Sequence, residues 1–308
     1  ANAWMQTPAG FVLDEQQRFQ PQSWLDIIFT PSFPWRLAHM TLAMLIGTAF
    51  MVGAVGAWQL LRDVANPRAR LMVSIPLWLL VILTPLQAVV GDLHGENTLR
   101  HQPQKIAAVE GDWHRPPPGQ GEPLRLFALP DAQQQRNRWE VAIPAIGSLY
   151  LRHNLTGQIK SLSEFPPQDI PPVAPLFFAF RVMVGLGLLM IAVSLTALTQ
   201  RLRGRLWQSR WLLKSIVLMG PAGFIALLAG WVVTEVGRQP WTVYGLLRTA
   251  DSVSPLSFRL VIASGCAILL IYGTVFYIGL RYLLRYANRE TRVGEPGPAP
   301  EMAPGGKQ

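Results

Sequence analysis

The chain of 308 residues is 50% hydrophobic and only 15% charged, with a mean hydropathy of +0.24. A soluble chain carries roughly 25% charged residues, so this composition excludes an ordinary soluble enzyme and points to lipid. The net charge of +9 is no nucleic-acid footprint, because the basic residues collect between apolar runs and read as topology signals.

Residues 1–35 are too polar and broken to form a spanning helix. A span needs about 20 mainly apolar residues, since hydrocarbon offers no water to satisfy unpaired backbone groups. Five segments meet that length: 36–62, 71–91, 175–199, 212–236 and 258–284. A basic turn at 63–70, a long polar stretch at 92–174, a second basic turn at 200–211 and a loop at 237–257 separate them. The tail 288–308 is rich in Pro and Gly and is expected to be disordered. The expected fold is therefore an all-α membrane protein with five transmembrane helices, two at 36–91 and three at 175–287, and one long extracytoplasmic loop. The single cysteine, Cys266, lies within a span and excludes a disulfide framework. No basic stretch followed by an apolar run opens the chain, so no signal peptide is expected there.

Lys and Arg accumulate on the cytoplasmic side of short loops. Arg62, Arg68 and Arg70 mark the first turn, Arg201, Arg203, Arg205 and Arg210 the second, and Arg281, Arg285, Arg289 and Arg292 the C-terminal end. This places the C-terminus inside, with residues 1–35 and the loops 92–174 and 237–257 outside. Trp4 and Met5 read as the interfacial end of a helix whose body is not in the chain, which marks it as a fragment.

Four residues near the outer ends of spans have both a plain and a chemical reading. His39 reads as an interfacial histidine or as a ligand, and Met183 as packing or as a ligand. Arg181 cannot shed its charge and either snorkels outward or meets an anion. Glu235 pairs with Arg238 three residues on or serves a metal. His39 and Glu235 lie about 4–5 Å inside their span ends and Met183 about 12 Å, so all three fall in the outer leaflet. Histidine plus methionine is an axial pair that keeps haem iron six-coordinate and suits electron transfer. A carboxylate is a harder ligand, matched to high-spin iron with an accessible face.

Five blocks carry a resemblance: Asn2-Ala3-Trp4-Met5-Gln6-Thr7-Pro8-Ala9-Gly10; Gly91-Asp92 with Gly95; Gln104-Lys105-Ile106-Ala107-Ala108-Val109-Glu110; Ala179-Phe180-Arg181-Val182-Met183; and Gly237-Arg238-Gln239-Pro240-Trp241. In this order they resemble subunit I of the cytochrome bd-type quinol oxidases. The resemblance covers the last five spans of that family's nine-span subunit. It implies that His39 and Met183 ligate a low-spin haem b, with Arg181 helping to hold that haem electrostatically. It further implies that Glu235 ligates a high-spin haem lined by Trp231. The cofactors implied are thus the low-spin haem b, a high-spin haem b and either haem d or a further haem b, with Glu235 serving one of the last two. Partners implied are quinol, oxygen, a second oxidase subunit and membrane lipid, in a bacterial cytoplasmic membrane.

By the same resemblance 92–174 is the quinol-binding loop, with Lys105 and Glu110 at the positions acting in quinol oxidation. Read plainly, these two are surface charges on a short helix opening at Pro103, whose apolar face is Ile106, Val109 and Trp113. Five residues apart, they are poorly spaced to pair with each other. The compact, Pro-rich segment up to Pro175 resembles the short-loop, cyanide-insensitive type. The remaining haem ligand and the acidic residues leading protons to oxygen belong, in the family, to the first four spans, so this chain alone is expected to be inactive. A b-type cytochrome that only transfers electrons, or a cofactor-free transport or assembly protein, stays open as an alternative.

Overall fold

The computed structural model describes residues 1–16 and 18–288 and falls into two units, Ala1–Val253 and Ser254–Gln308. The tail expected to be disordered, with Arg289 and Arg292, lies outside the described residues except for Asn288.

The first unit opens with α1 (Asn2–Gln6), a hairpin of β1 (Phe11–Leu13) and β2 (Phe19–Pro21), and α2 (Trp24–Ile28), capped by the Ser23 hydroxyl. The first long helix, α3 (Phe33–Arg62), carries Pro34 in its first turn, where a missing N–H costs nothing. Next is α4 (Pro67–His101), whose N-cap Asn66 accepts from the Ala69 N–H at 3.1 Å. It runs ten residues past the span end expected from hydropathy. The extension Asp92–His101 is polar and includes the i,i+4 pair Glu96–Arg100, so apolar content alone does not reveal it.

After Gln102 comes α5 (Pro103–Glu110), closed by Gly111 in the left-handed region at φ 68°. The antiparallel strands β3 (Leu124–Asp131) and β4 (Arg136–Ile143) follow, then α6 (Ile146–Arg152), so the segment before the third span has a fold of its own. The third span is α7 (Val173–Leu202). The fourth is two pieces, α8 (Arg210–Leu218) and α9 (Ala222–Val236), interrupted before Pro221, which has no N–H to continue the ladder. Two short strands, β5 (Trp241–Val243) and β6 (Leu247–Arg248), follow. The second unit contains α10 (Phe258–Asn288). Among the described residues, five helical segments, counting α8 and α9 as one, are long and apolar enough to cross a membrane.

Buried clusters run the length of the first unit. At one end Ala57, Leu60, Val73, Leu206 and Leu213 pack together, and Trp207 lies under both Arg70 and Arg201. The two basic turns therefore meet at one end, as their shared charge suggests. In the middle Phe50, Leu80, Met190 and Met219 interlock. There α3 and α9 come close enough that a Cβ on Gly223 would lie 2.4 Å from Gly47 Cα. At the opposite end Ala107, Val109, Trp113 and Leu162 pack on Val173 and Leu176, with Val233 and Val236 beside them. The helix of the long loop is thus docked against α7 and α9.

Candidate functional site

His39 stands in the second turn of α3, half-buried against α4. Gln87 Nε2 lies 3.2 Å from its carbonyl oxygen and 3.3 Å from both ring nitrogens. A Cβ on Gly91 would come within 3.3 Å of His39 Cε1. The His94 ring lies 5.4 Å away, centroid to centroid. Met183, on α7, is matched by another glycine, since a Cβ on Gly230 of α9 would lie 3.0 Å from its sulfur. Each side chain is thus faced by a neighbouring helix that leaves it room.

Glu235 is in the last turn of α9. Arg238 Nη2 donates to its Oε2 at 2.6 Å, and the Asn2 side-chain amide donates to its Oε1. Asn2 in turn accepts from Arg36 Nη1 at 3.5 Å. Lys105 enters the same neighbourhood from α5, donating to Gln6 Oε1 at 2.6 Å and to the Thr234 carbonyl at 3.5 Å. Gln6 also donates to that carbonyl. Burial, with Arg36 and Arg238 nearby, pushes the Lys105 ammonium well below the ordinary lysine range. Arg36 Nε and Arg238 Nε and Nη1 are buried without a hydrogen-bond partner. Two guanidinium groups and the Lys105 amine meet one carboxylate here, so the cluster is short of negative charge.

Glu110, at the other end of α5, faces a second cluster. Arg181 Nη2 lies 3.7 Å from its Oε2, and the Tyr150 hydroxyl adjoins it. Burial pushes the Glu110 carboxyl up, opposed by Arg181. Arg181 is committed to the loop: its Nε donates to the Arg125 carbonyl at 2.7 Å and its Nη1 to those of Val109 and Phe177 at 2.8 and 3.0 Å. The guanidinium also lies over the Phe177 ring. Behind Glu110, Arg125 donates to Asp112 and, at 3.1 Å, to Glu140.

Lys105 and Glu110 do not pair with each other, and neither is a surface charge, each being 2% exposed. Glu235 does make the plain pair with Arg238, while its side chain stays 38% exposed. Trp231, one turn earlier on the same face, is 41% exposed. Arg181 turns toward the loop, away from the face of Met183, as two residues of helical spacing require.

The residues of the cytochrome bd terminal oxidase subunit I model match 1–291 of the sequence. The chain belongs to that family. It is 29% identical to the cytochrome bd-II ubiquinol oxidase subunit 1 of Escherichia coli strain K12, over 94% of this chain and 68% of that protein. It is 28% identical to the cytochrome bd ubiquinol oxidase subunit 1 of Bacillus subtilis strain 168, over 96% of this chain and 66% of that one. The solved bd oxidase of Geobacillus thermodenitrificans superposes with a TM-score of 0.84 at 26% identity, covering 94% of this chain and 65% of that one. The chain thus spans about two thirds of the length of the relatives it matches. It is a multi-pass membrane protein of a family of cytochromes, whose cofactor is haem.

Family resemblance drew attention to Lys105, Glu110 and the opening block, but not to the partners that bury them. Gln6 was legible only as part of a motif. Its role, holding Lys105 against the end of α9, depends on a contact across 99 residues. His94 lies one helical turn beyond Gly91 and belongs beside His39. Hydropathy ends the span at 91 and so hides it. Asp112, Glu122, Arg125 and Tyr150 carried no spacing that marks a site.

Proposed function

We propose that this chain contributes the quinol-oxidising loop and part of the haem-binding framework of an electrogenic quinol:oxygen oxidoreductase. Haem supplies one-electron transfer, and oxygen chemistry where a coordination position stays open. His39 and Met183 are the residues that would hold a low-spin haem b, since imidazole and thioether form its usual electron-transfer pair. Glu235, with Trp231 on the same face, would hold a high-spin haem. The unpaired N–H groups of Arg36 and Arg238 suit the propionates of a porphyrin, whose negative charge this cluster lacks. The remaining high-spin haem, d or a further b, has no ligand assigned among these residues.

The observation that carries the reading is the placement of α5. Its two buried charges sit at opposite ends of one eight-residue helix. Lys105 reaches the carbonyl next to Glu235, and Glu110 reaches Arg181, two residues from Met183. A donor molecule at this helix would be adjacent to both sets of candidate ligands. Quinol oxidation releases two electrons and two protons. The Glu110 carboxylate accepts a proton from a quinol hydroxyl, and Lys105 donates a hydrogen bond that orients the ring oxygen. Holding both groups away from water makes each interaction stronger than at the surface.

The meeting of the two basic turns at one end supports a cytoplasmic position for that end and an extracytoplasmic one for the loop. A bacterial cytoplasmic membrane, a second oxidase subunit, and oxygen as the final acceptor complete the proposal. The test replaces Lys105 or Glu110 by Ala in the assembled oxidase. Quinol-driven turnover should fall at least roughly tenfold, within the range one acid–base group supplies, while the haem spectrum stays normal. Equal loss with an artificial donor that bypasses the loop would contradict a role in quinol oxidation.

A further inference from the structure

Asp112 and Glu122 lie behind Glu110, and both are 1% exposed. Both are held on one short stretch of the loop, the Asp112 carbonyl accepting from the Leu162 N–H at 2.7 Å and the Glu122 carboxylate from the Ile159 N–H three residues earlier, which brings the two carboxyl groups within interaction distance. Asp112 Oδ1 accepts from Arg125, and Glu122 Oε1 accepts from the Ile159 N–H at 3.1 Å. The remaining oxygens, Asp112 Oδ2 and Glu122 Oε2, are buried with no donor. Two ionised carboxylates offer four acceptor oxygens and no donor, an arrangement that low-dielectric surroundings penalise heavily. One proton between them converts the two remaining oxygens into a donor and an acceptor and removes one of two like charges.

The elements around the pair set its charge balance. Arg125 from β3 and Arg181 from α7 are the nearby buried cations; Glu140 from β4 and Glu110 from α5 are the other carboxylates. Tyr150 from α6 adjoins Glu110, and Arg115 lies near Glu122. Arg125 links the two carboxyl sites, since its Nη1 reaches both Asp112 and, at 3.5 Å, the backbone carbonyl of Glu110.

We propose that Asp112 and Glu122 share one proton and that this pair, with Arg125, is a positioning element that sets when Glu110 can take a proton from quinol. The proposal rests on the reading of Glu110 given above. The chemical step remains there: a quinol O–H bond breaks, its proton passes to the Glu110 carboxylate, and the electrons leave to the oxidase's own acceptors. The pair acts through its charge. While it holds its proton, one negative charge stands near Glu110, balanced by Arg125. Once that proton leaves, a second negative charge competes for Arg125 and makes Glu110 hold its proton to higher pH. Burial already pushes both carboxyls of the pair up.

The experiment uses the assembled oxidase carrying Glu122→Gln or Asp112→Asn. Each amide supplies the N–H that the shared proton would supply and cannot ionise. Infrared difference spectra across pH report the pair directly, without turnover. A protonated-carboxyl band that survives Glu110→Gln should be present, should fade as the pH rises across the acid limb of the rate profile, and should be absent when Glu122→Gln or Asp112→Asn is added to Glu110→Gln. A band that persists in both combinations overturns the shared proton. The quinol pH–rate profile reports control of Glu110. Its acid limb should move to lower pH in Glu122→Gln by roughly half a unit or more, as coupled sites do. An unmoved acid limb, with the band lost, overturns that control. Glu110→Gln separates the two claims. Undiminished quinol turnover there would refute the role of Glu110 itself, while the infrared band still reports the pair.

Discussion

Arg181 donates to the backbone carbonyl of Val109 at 2.8 Å, so the residue two before Met183 is bolted to the residue just before Glu110. α7 and α5 are therefore held as one mechanical piece. Arg181→Ala removes its bonds to three carbonyl oxygens and strips the buried Glu110 carboxyl of its nearest cation. Breaking a buried pair from one side costs about 3–5 kcal/mol, enough to detach the loop. Limited proteolysis of membranes should cut the 111–172 segment much faster in this variant. Unchanged protection would show that the hydrophobic contacts of α5 suffice.

Apolar length made the five spans legible, and Pro103 marked the start of α5. The extension of α4 was not legible, because Asp92, Glu96 and Arg100 give a solvated helix no hydropathy signal. Nor was the burial of Lys105 and Glu110. A charge is buried only where partners compensate it, and theirs arrive from residues far away in sequence: Gln6 for one, Arg181 for the other. The hairpin of β3 and β4 is stabilised partly by Arg125, whose two carboxylates no spacing rule connects.

Gly47 and Gly223 face each other but are not equivalent. A Cβ on Gly47 would find ordinary contacts at 3.6 Å, whereas one on Gly223 would collide with the backbone of Gly47. Gly47→Ala should leave thermal stability close to the parent. Gly223→Ala should lower it by about 1–3 kcal/mol, as overpacking does, read from the unfolding midpoint of the detergent-solubilised complex. Equal effects of the two substitutions would mean that the helices do not cross at this point.

The Glu164 carboxylate binds Arg115 through two bonds, at 2.6 and 2.7 Å, and caps its own turn at Ser161. These bonds, Arg115 first, lower its pKa to about 2. The folded loop therefore binds fewer protons than the unfolded one between about pH 4.5 and 2. Its contribution is complete above that interval and is lost as the pH falls through it. Protease protection of the loop should accordingly weaken less with acid in Glu164→Gln than in the parent. Identical acid sensitivity would assign the loss to other groups.

Glu235 is where the plain and the chemical readings differ most. As a partly exposed ion pair with Arg238 its loss would cost at most about 1 kcal/mol. As an iron ligand, its replacement by Gln removes the anionic donor, and a high-spin haem should be lost. Counting haems per complex in Glu235→Gln and Arg238→Gln decides between them. Full haem content and normal oxygen reduction in Glu235→Gln would refute ligation.

The axial pair of His39 and Met183 is tested most directly by the reduced-minus-oxidised spectrum of the assembled oxidase. Replacing His39 or Met183 by Ala should each remove the low-spin haem b band or convert it to a high-spin one, with the protein still inserted in the membrane. An unchanged low-spin band in both variants would contradict the assignment.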